Sequence, residues 1–435
     1  MRLASSYFLT VLTRTPLAAA AVLTCLGTGL ADAQTTNDAT SAQSDASAVA
    51  SLPPTWDFAW KDHPAVTFGD VARVEFRARL SAETRLDDDE DDSSRFDPAR
   101  RRIGVRGELW KTVDFEVEGE VADPQPWRDV FANYHVLNAV QVQGGRFKMP
   151  FGLDENTGPN NREFVYRSHA ARDLAPGRAN GVMAHGRLGM VRYELGVFAT
   201  DGDNAIRHPD TRVHGDSTAA VRLVVQPFHK SRSRLSDFQV GAAYTGTKVP
   251  EGFADLNGHT FGGKAFFKSD VWVRGAQRRV GLESRWRPGP FSFQTEYIRI
   301  NTERRGQSLE GNDLPALVAR GWYVSGAWVL AGARKVESAP TPKRPLFGGG
   351  LGSIELAARA ERLTFASTDA GFLPSTSPRA EVILPRGNAA ITLGINWFPN
   401  RWLKIQANVI RESFTNATAF PVPLWSHVFS ANISL

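Results

Sequence analysis

Strand-like alternation, repeated from about residue 66 to the last residue, limits what this chain can fold into more than any other feature. Apolar and polar side chains trade places with a period of two over stretches of roughly 8–12 residues, and Gly, Pro, Asn and Asp separate the stretches. Ala72, Val74, Phe76, Ala78 and Leu80 share one face of the first stretch, and Arg73, Glu75, Arg77 and Arg79 share the other. Ile103, Val105 and Leu109 oppose Arg102, Arg106 and Glu108; Val113, Phe115 and Val117 oppose Asp114, Glu116, Glu118 and Glu120. Near the end, Ile391-Leu393-Ile395-Trp397 and Leu403-Ile405-Ala407-Val409 flank a tight Pro399-Asn400 turn. Convincing helical periodicity is scarce, so the chain is all-β and antiparallel.

Two architectures give each strand one apolar and one polar face: a soluble sandwich, and a transmembrane barrel with lipid outside and water within. A bilayer-crossing strand needs roughly 9–11 residues, against about 5–6 for a typical globular strand, and these stretches fit the longer class. Trp286, Trp322, Trp328, Trp397, Trp402 and Trp425 fall near expected strand ends, as interfacial girdles require; the alternative is that they anchor a core. The expected count is sixteen strands, the first at 66–84 and the last at 426–435. It puts the turns at Lys111-Thr112, Leu188-Gly189, Pro288-Gly289 and Pro399-Asn400 on one side. It also needs 258–268 to belong to a long loop and 332–350 to be a long periplasmic turn.

Residues 1–33 read as a signal peptide: basic at the start, apolar from Leu17 to Leu30, with Ala31-Asp32-Ala33 as the cleavage signal. Cys25, the only cysteine, falls inside it, so the mature chain is expected to lack thiols and disulfides. Residues 34–54, rich in Ser, Ala, Thr and Asp, read as a disordered polar linker, leaving 55–435 as one barrel domain. The net charge of +5 and a pI near 9.4 point to anionic partners, and export makes nucleic acid the least suitable of them.

If the first strand crosses a membrane, Arg73, Arg77 and Arg79 face its lumen, because one Arg on the lipid face costs about 2–4 kcal/mol near the midplane. A hairpin loop at 110–112 would set Arg106 opposite Glu116 and Arg102 opposite Glu120, neutralising the second strand's arginines. Residues 144–155, GGRFKMPFGLDE, end the fifth strand: Pro150 cannot donate to a ladder, and Gly152 permits a bend. Gly144 and Gly145 are expected to form a bulge that keeps Phe147 outside and turns Arg146 and Lys148 to the lumen. The run Asp87 to Asp92 reads as an outer loop that divalent ions could bridge to lipopolysaccharide. No HExxH, GxSxG, Walker loop or Cys/His cluster is present, and a metal site at His208 and His214 lacks defined spacing. No enzyme, cofactor or metal is therefore expected.

Arg101 to Glu108, Gly145 to Leu153, Arg167-Ser168, Ala175 to Arg178, Gly321 to Val324, Glu355 to Arg359 and Gly394 to Asn400 resemble the phosphate-selective porin O/P family. The resemblance covers nearly all the mature chain. It implies a sixteen-stranded outer-membrane barrel, usually trimeric, that takes up phosphate or polyphosphate past an inward-folded third loop. The expected function is a passive anion-preferring channel in the bacterial outer membrane. Arg73, Arg77, Arg79, Arg102 and Arg106 would line its wall, and Arg146, Lys148, Arg162, Arg167, Arg172 and Arg178 would form the constriction. The alternatives are a differently selective porin, or an outer-membrane enzyme or structural barrel.

Overall fold

The computed structural model describes residues 56–60, 63–87, 95–121, 123, 126–204, 215–254, 256–331, 340–368, 379, 383–417, 420 and 422–435. Residues 1–33 and 34–54, expected to be a signal peptide and a linker, lie outside the described residues, as do Asp88 to Asp92 of the acidic run, His208, His214 and residues 332–339.

The chain opens with the strands β1 (Trp56–Trp60) and β2 (Pro64–Phe68) and continues with β3 (Ala72–Asp87), β4 (Arg95–Leu109), β5 (Val113–Glu120), β6 (Trp127–Leu137) and β7 (Val140–Lys148). After a long inter-strand segment come β8 (Arg178–Leu188), β9 (Val191–Phe198), β10 (Thr218–Val225) and β11 (Gln239–Phe253). A separate two-stranded hairpin, β12 (Asn257–His259) and β13 (Ala265–Lys268), precedes β14 (Trp272–Trp286) and β15 (Phe291–Arg304). The chain then runs through β16 (Leu314–Ala331), β17 (Ser353–Ser367), β18 (Arg386–Phe398), β19 (Leu403–Thr415) and β20 (Leu424–Ser434). Sixteen of these, β3 to β11 and β14 to β20, pair antiparallel in chain order, and β20 closes on β3 from Ser426↔Asp87 to Ser434↔Arg79. Closure leaves no open edge among these sixteen strands, the condition for crossing a hydrocarbon layer with strands.

The pattern of burial decides between the two architectures. In β18, Ile391, Leu393 and Ile395 are more than half exposed, while Asn388, Thr392 and Asn396 on the opposite face are 1% exposed or less. The same inversion holds in β17, where Glu355, Arg359 and Glu361 are buried, and in β20, where Phe429 and Ile433 are exposed. Apolar side chains turned outward from a polar interior define a barrel surrounded by lipid. None of the six tryptophans is buried, which removes the core-anchor alternative. Trp286, Phe293, Phe291 and Trp328 form an outward aromatic run with successive ring centroids 5.8 to 6.5 Å apart.

The β4–β5 loop has Trp110 at φ 50° and Lys111 at φ 58°, and it sets the expected register, Arg102↔Glu120 and Arg106↔Glu116. Two local expectations fail. Residues 66–84 are not one strand: Gly69 at φ +50° reverses the chain, and the amide of Val71 donates to the Phe68 carbonyl at 3.0 Å. Nor does a bulge form at Gly144-Gly145, where pairing with β6 and β8 continues without a shift. Gly145 instead lies at φ +132°, where a Cβ would sit 2.2 Å from the Val130 carbonyl oxygen. Phe147 is 3% exposed and packs with Phe131, Met149, Met183 and Phe198, on the same side as the polar wall. Without a bulge the period of two runs on unshifted, so Phe147 falls on the same side as Gln143, which also borders the interior cavity.

Candidate functional site

GGRFKMPFGLDE steers the chain off the wall. Phe151 is fully buried and lies over Gly281 of β14, where a Cβ would come within 3.1 Å of its ring. Gly152, at φ +79°, turns the backbone so that the amides of Leu153 and Asp154 both donate to the Glu296 carboxylate of β15, each at 3.1 Å. A side chain at Gly152 would approach Glu296 Oε1 to 2.5 Å, so this clamp needs glycine.

Residues 149–177 then run along the buried faces of β15 to β20. The Val165 amide donates to Asn408 of β19 at 2.8 Å, Asn396 of β18 donates to the Glu163 carbonyl at 2.8 Å, and Asn160 donates to Ser434 of β20 at 2.8 Å. A short π-helical turn, Ala170–Leu174, approaches β16 so closely that a Cβ on Gly321 would meet that of Ala170 at 2.8 Å. A Cβ on Gly394 would meet Asn408 Nδ2 at 2.6 Å and Phe164 at 3.6 Å. Small residues on the buried face of the wall thus clear a bed for this segment.

Its deepest anchor is Glu412 of β19, which is 1% exposed. Glu412 lies 3.2 Å from His169 Nε2 and accepts from the Phe261 amide at 3.0 Å and from Asn388 Nδ2 at 2.6 Å. One carboxylate therefore joins the segment after β7, the β12–β13 hairpin and the wall. Beside it, the Arg172 guanidinium donates to Asp173 at 2.9 and 3.0 Å and to the carbonyls of His259 and Thr260. Burial alone would raise the carboxyl of Asp173, but the charge of Arg172 outweighs it and holds that carboxyl below the usual range. Glu155 is likewise held low against its burial by Arg167 and Lys148. A depressed carboxyl adds stability above its unfolded value and loses it as the pH falls through the folded value. The segment should thus hold at neutral pH and loosen progressively below the unfolded values of 3.8 for Asp and 4.5 for Glu. Limited proteolysis in detergent between pH 7 and pH 3 checks this; resistance highest at pH 3 would contradict it.

The opposite side of the interior, from β3 to β11 and on to β15, borders a cavity of about 620 Å³. Of the expected residues, Arg77, Arg79, Arg102, Arg106, Lys148 and Arg178 line it. Arg102 pairs with Glu120 at 2.8 Å and with Glu118 at 3.1 Å, whereas Arg106 makes no ion pair among the described residues despite facing Glu116 across the ladder. Arg77 makes none either, Arg79 stands 3.6 Å from Glu118, and Arg178 grips Asp129 through two nitrogens at 3.1 and 2.7 Å. The other five lie off the cavity. Arg73 pairs with Glu75 at 2.9 Å near the short-turn rim, and Arg146 reaches Asp203 at 3.1 Å. Arg162 is buried beside Phe164, Arg167 pairs with Glu155 at 3.3 Å, and Arg172 holds the segment as described. Where 150–161 borders the cavity it presents neutral groups, among them Asn156, Thr157 and Asn161.

Four further cations line the cavity: Arg192, Arg222, Arg285 and Arg287. Arg222 sits between Glu283 at 2.6 Å and Glu194 at 3.0 Å. The alternation of VRYEL and AVRLV, applied to β9 and β10 as it was to β3, finds Arg192 and Arg222 without further information.

An apolar outer band, a closed sixteen-strand ladder and a polar interior define an outer-membrane β-barrel. The family of phosphate-selective porins O and P matches residues 73–422, and the chain belongs to it. Porin O of Pseudomonas aeruginosa is 26% identical over 368 residues, covering 73% of this chain and 77% of that protein. A loop-deletion mutant of OmpT, an outer membrane protein of Vibrio cholerae, superposes with a TM-score of 0.55 at 11% identity, over 84% of this chain and all of its own. The trimer form of OmpT gives 0.53 at 10% identity, over 84% and 100%.

Proposed function

We propose that the barrel is a passive channel that prefers anions, with phosphate-type anions as its solute, and that the cavity along β3 to β15 is the path they take. The carrying observation is the charge on the cavity wall, where ten cationic side chains stand against four acidic ones: Glu116, Glu118, Asp129 and Glu194. Guanidinium groups stay charged and match phosphate oxygens with paired donors. Several moderate sites in series admit an anion and still release it, which one deep site would not. Residues 149–177 narrow the lumen from the far side with mostly neutral groups, so the selecting charge comes from the wall. The trimer form of the Vibrio cholerae protein supports a homotrimeric assembly for this chain as well.

Single-channel recording in planar bilayers tests the proposal. Under a potassium chloride gradient the reversal potential should take the sign of an anion-preferring pore, and added phosphate should reduce the chloride current. A cation-preferring potential would overturn the reading. A chloride current indifferent to phosphate would leave an anion pore without phosphate preference.

A further inference from the structure

The β1–β2 hairpin stands outside the sixteen-strand closure, and its composition suits a task of its own. β20 ends level with Ala78, where the Leu435 carbonyl accepts from the Ala78 amide at 3.1 Å, so β3 runs on below it from Ala72. β2 fills that notch, pairing Ala65↔Glu75, Val66↔Val74, Thr67↔Arg73 and Phe68↔Ala72. β1 pairs with β2, and among the described residues it forms the outer edge.

Residues directly opposite in a ladder share a face. The rows Trp56–Phe68–Ala72 and Phe58–Val66–Val74 therefore continue the apolar, lipid-facing side of β3, and Trp60 follows on the same side. The rows Asp57–Thr67–Arg73 and Ala59–Ala65–Glu75 continue its inner side. Every outward residue of β1 is aromatic, and Trp56, Phe58 and Trp60 are 69%, 51% and 59% exposed. The adjoining β4–β5 turn adds Trp110, also exposed. An edge strand leaves backbone groups that still need water, and tryptophan is the side chain suited to the boundary where lipid gives way to water.

We propose that the β1–β2 hairpin is a membrane-contact surface: Trp56, Phe58 and Trp60 lie in the headgroup region of the phospholipid on the short-turn side, closing the lipid-facing wall where β3 overshoots β20. The occupant is lipid because the aromatic face continues, row by row, a face that already meets lipid.

Spin labels at single cysteines, in a chain carrying Cys25→Ser, test this. The protein would be reconstituted in phosphatidylethanolamine–phosphatidylglycerol vesicles, with folding checked by heat-modifiable gel migration. A label at Phe58→Cys should collide several-fold more often with oxygen, relative to a water-soluble nickel chelate, than one at Asp57→Cys on the opposite face. Trp60→Cys serves as a second outward site should the first variant not fold. Nickel access at residue 58 equal to that at residue 57 would overturn the proposal. Dipolar broadening between labels on neighbouring copies would overturn it too, assigning the face to a second copy. A label protected from oxygen and nickel alike would overturn it as well, since protein and not lipid would then cover the surface.

Discussion

Replacing Arg77 and Arg106 together with glutamine is expected to weaken phosphate binding in the channel by about 25-fold or more and to move the reversal potential toward zero. A unit charge about 4 Å from a phosphate oxygen is worth about 1 kcal/mol even in bulk water, or about fivefold in affinity, and more beside a low-dielectric wall. These two are chosen because both line the cavity and neither is held at ion-pair distance by a carboxylate among the described residues, Glu116 being the acidic neighbour of both. Arg102, by contrast, is shared between Glu118 and Glu120, and Arg178 is held by Asp129. The matched control is Arg73→Gln. Arg73 is exposed, paired with Glu75 and off the cavity, so its loss should change affinity little at 0.15 M salt, where charges are screened over about 8 Å. Equal effects from Arg73→Gln and the double variant would show that net charge, not the cavity wall, sets selectivity.

Legibility of the fold and of the site differed for physical reasons. The strands could be read because a barrel wall imposes one rule on every residue, lipid or lumen, with period two; Ile391-Leu393-Ile395 against Asn388, Thr392 and Asn396 is that rule in one strand. Register near Arg102 and Arg106 could be read because a short hairpin fixes it. Alternation states only that a cation faces inward. It does not state what else is inside, so Arg162, Arg167 and Arg172 look like cavity cations until their tertiary partners are known: Arg172 on Asp173 and two carbonyls, Arg167 on Glu155. The bed for residues 149–177 was present in the sequence as Gly281, Gly321 and Gly394, glycines inside strands that ordinarily disfavour them. Without the tertiary contacts, nothing distinguishes such a glycine from a weak strand position. Phe147 shows the limit from the other direction, since its neighbours Met183 and Phe198 come from β8 and β9, beyond the long segment that follows β7.

Glu412→Ala is expected to raise single-channel conductance and lower the unfolding midpoint in detergent, because it removes the one acceptor common to three parts of the structure. The His169 ring, the Phe261 amide and the Asn388 amide group would each lose a buried partner. Each orphaned donor costs about 1–3 kcal/mol. The wall has little need of Glu412, since backbone pairing holds β19 to β18 from Ile405 to Thr415 and to β20 from Leu403 to Glu412. The segments inside do need it: the Ala170–Leu174 turn and the β12–β13 hairpin meet at this carboxylate, so its loss should free them to move into the lumen and out again. Noisier, larger conductance with an intact barrel is the signature. Glu412→Gln keeps one acceptor oxygen for Phe261 or Asn388 and should restore most of the stability. A variant that loses stability while its conductance stays that of the parent would show that Glu412 braces the wall alone, and that residues 149–177 are held in place by Glu296 and the glycine bed without it.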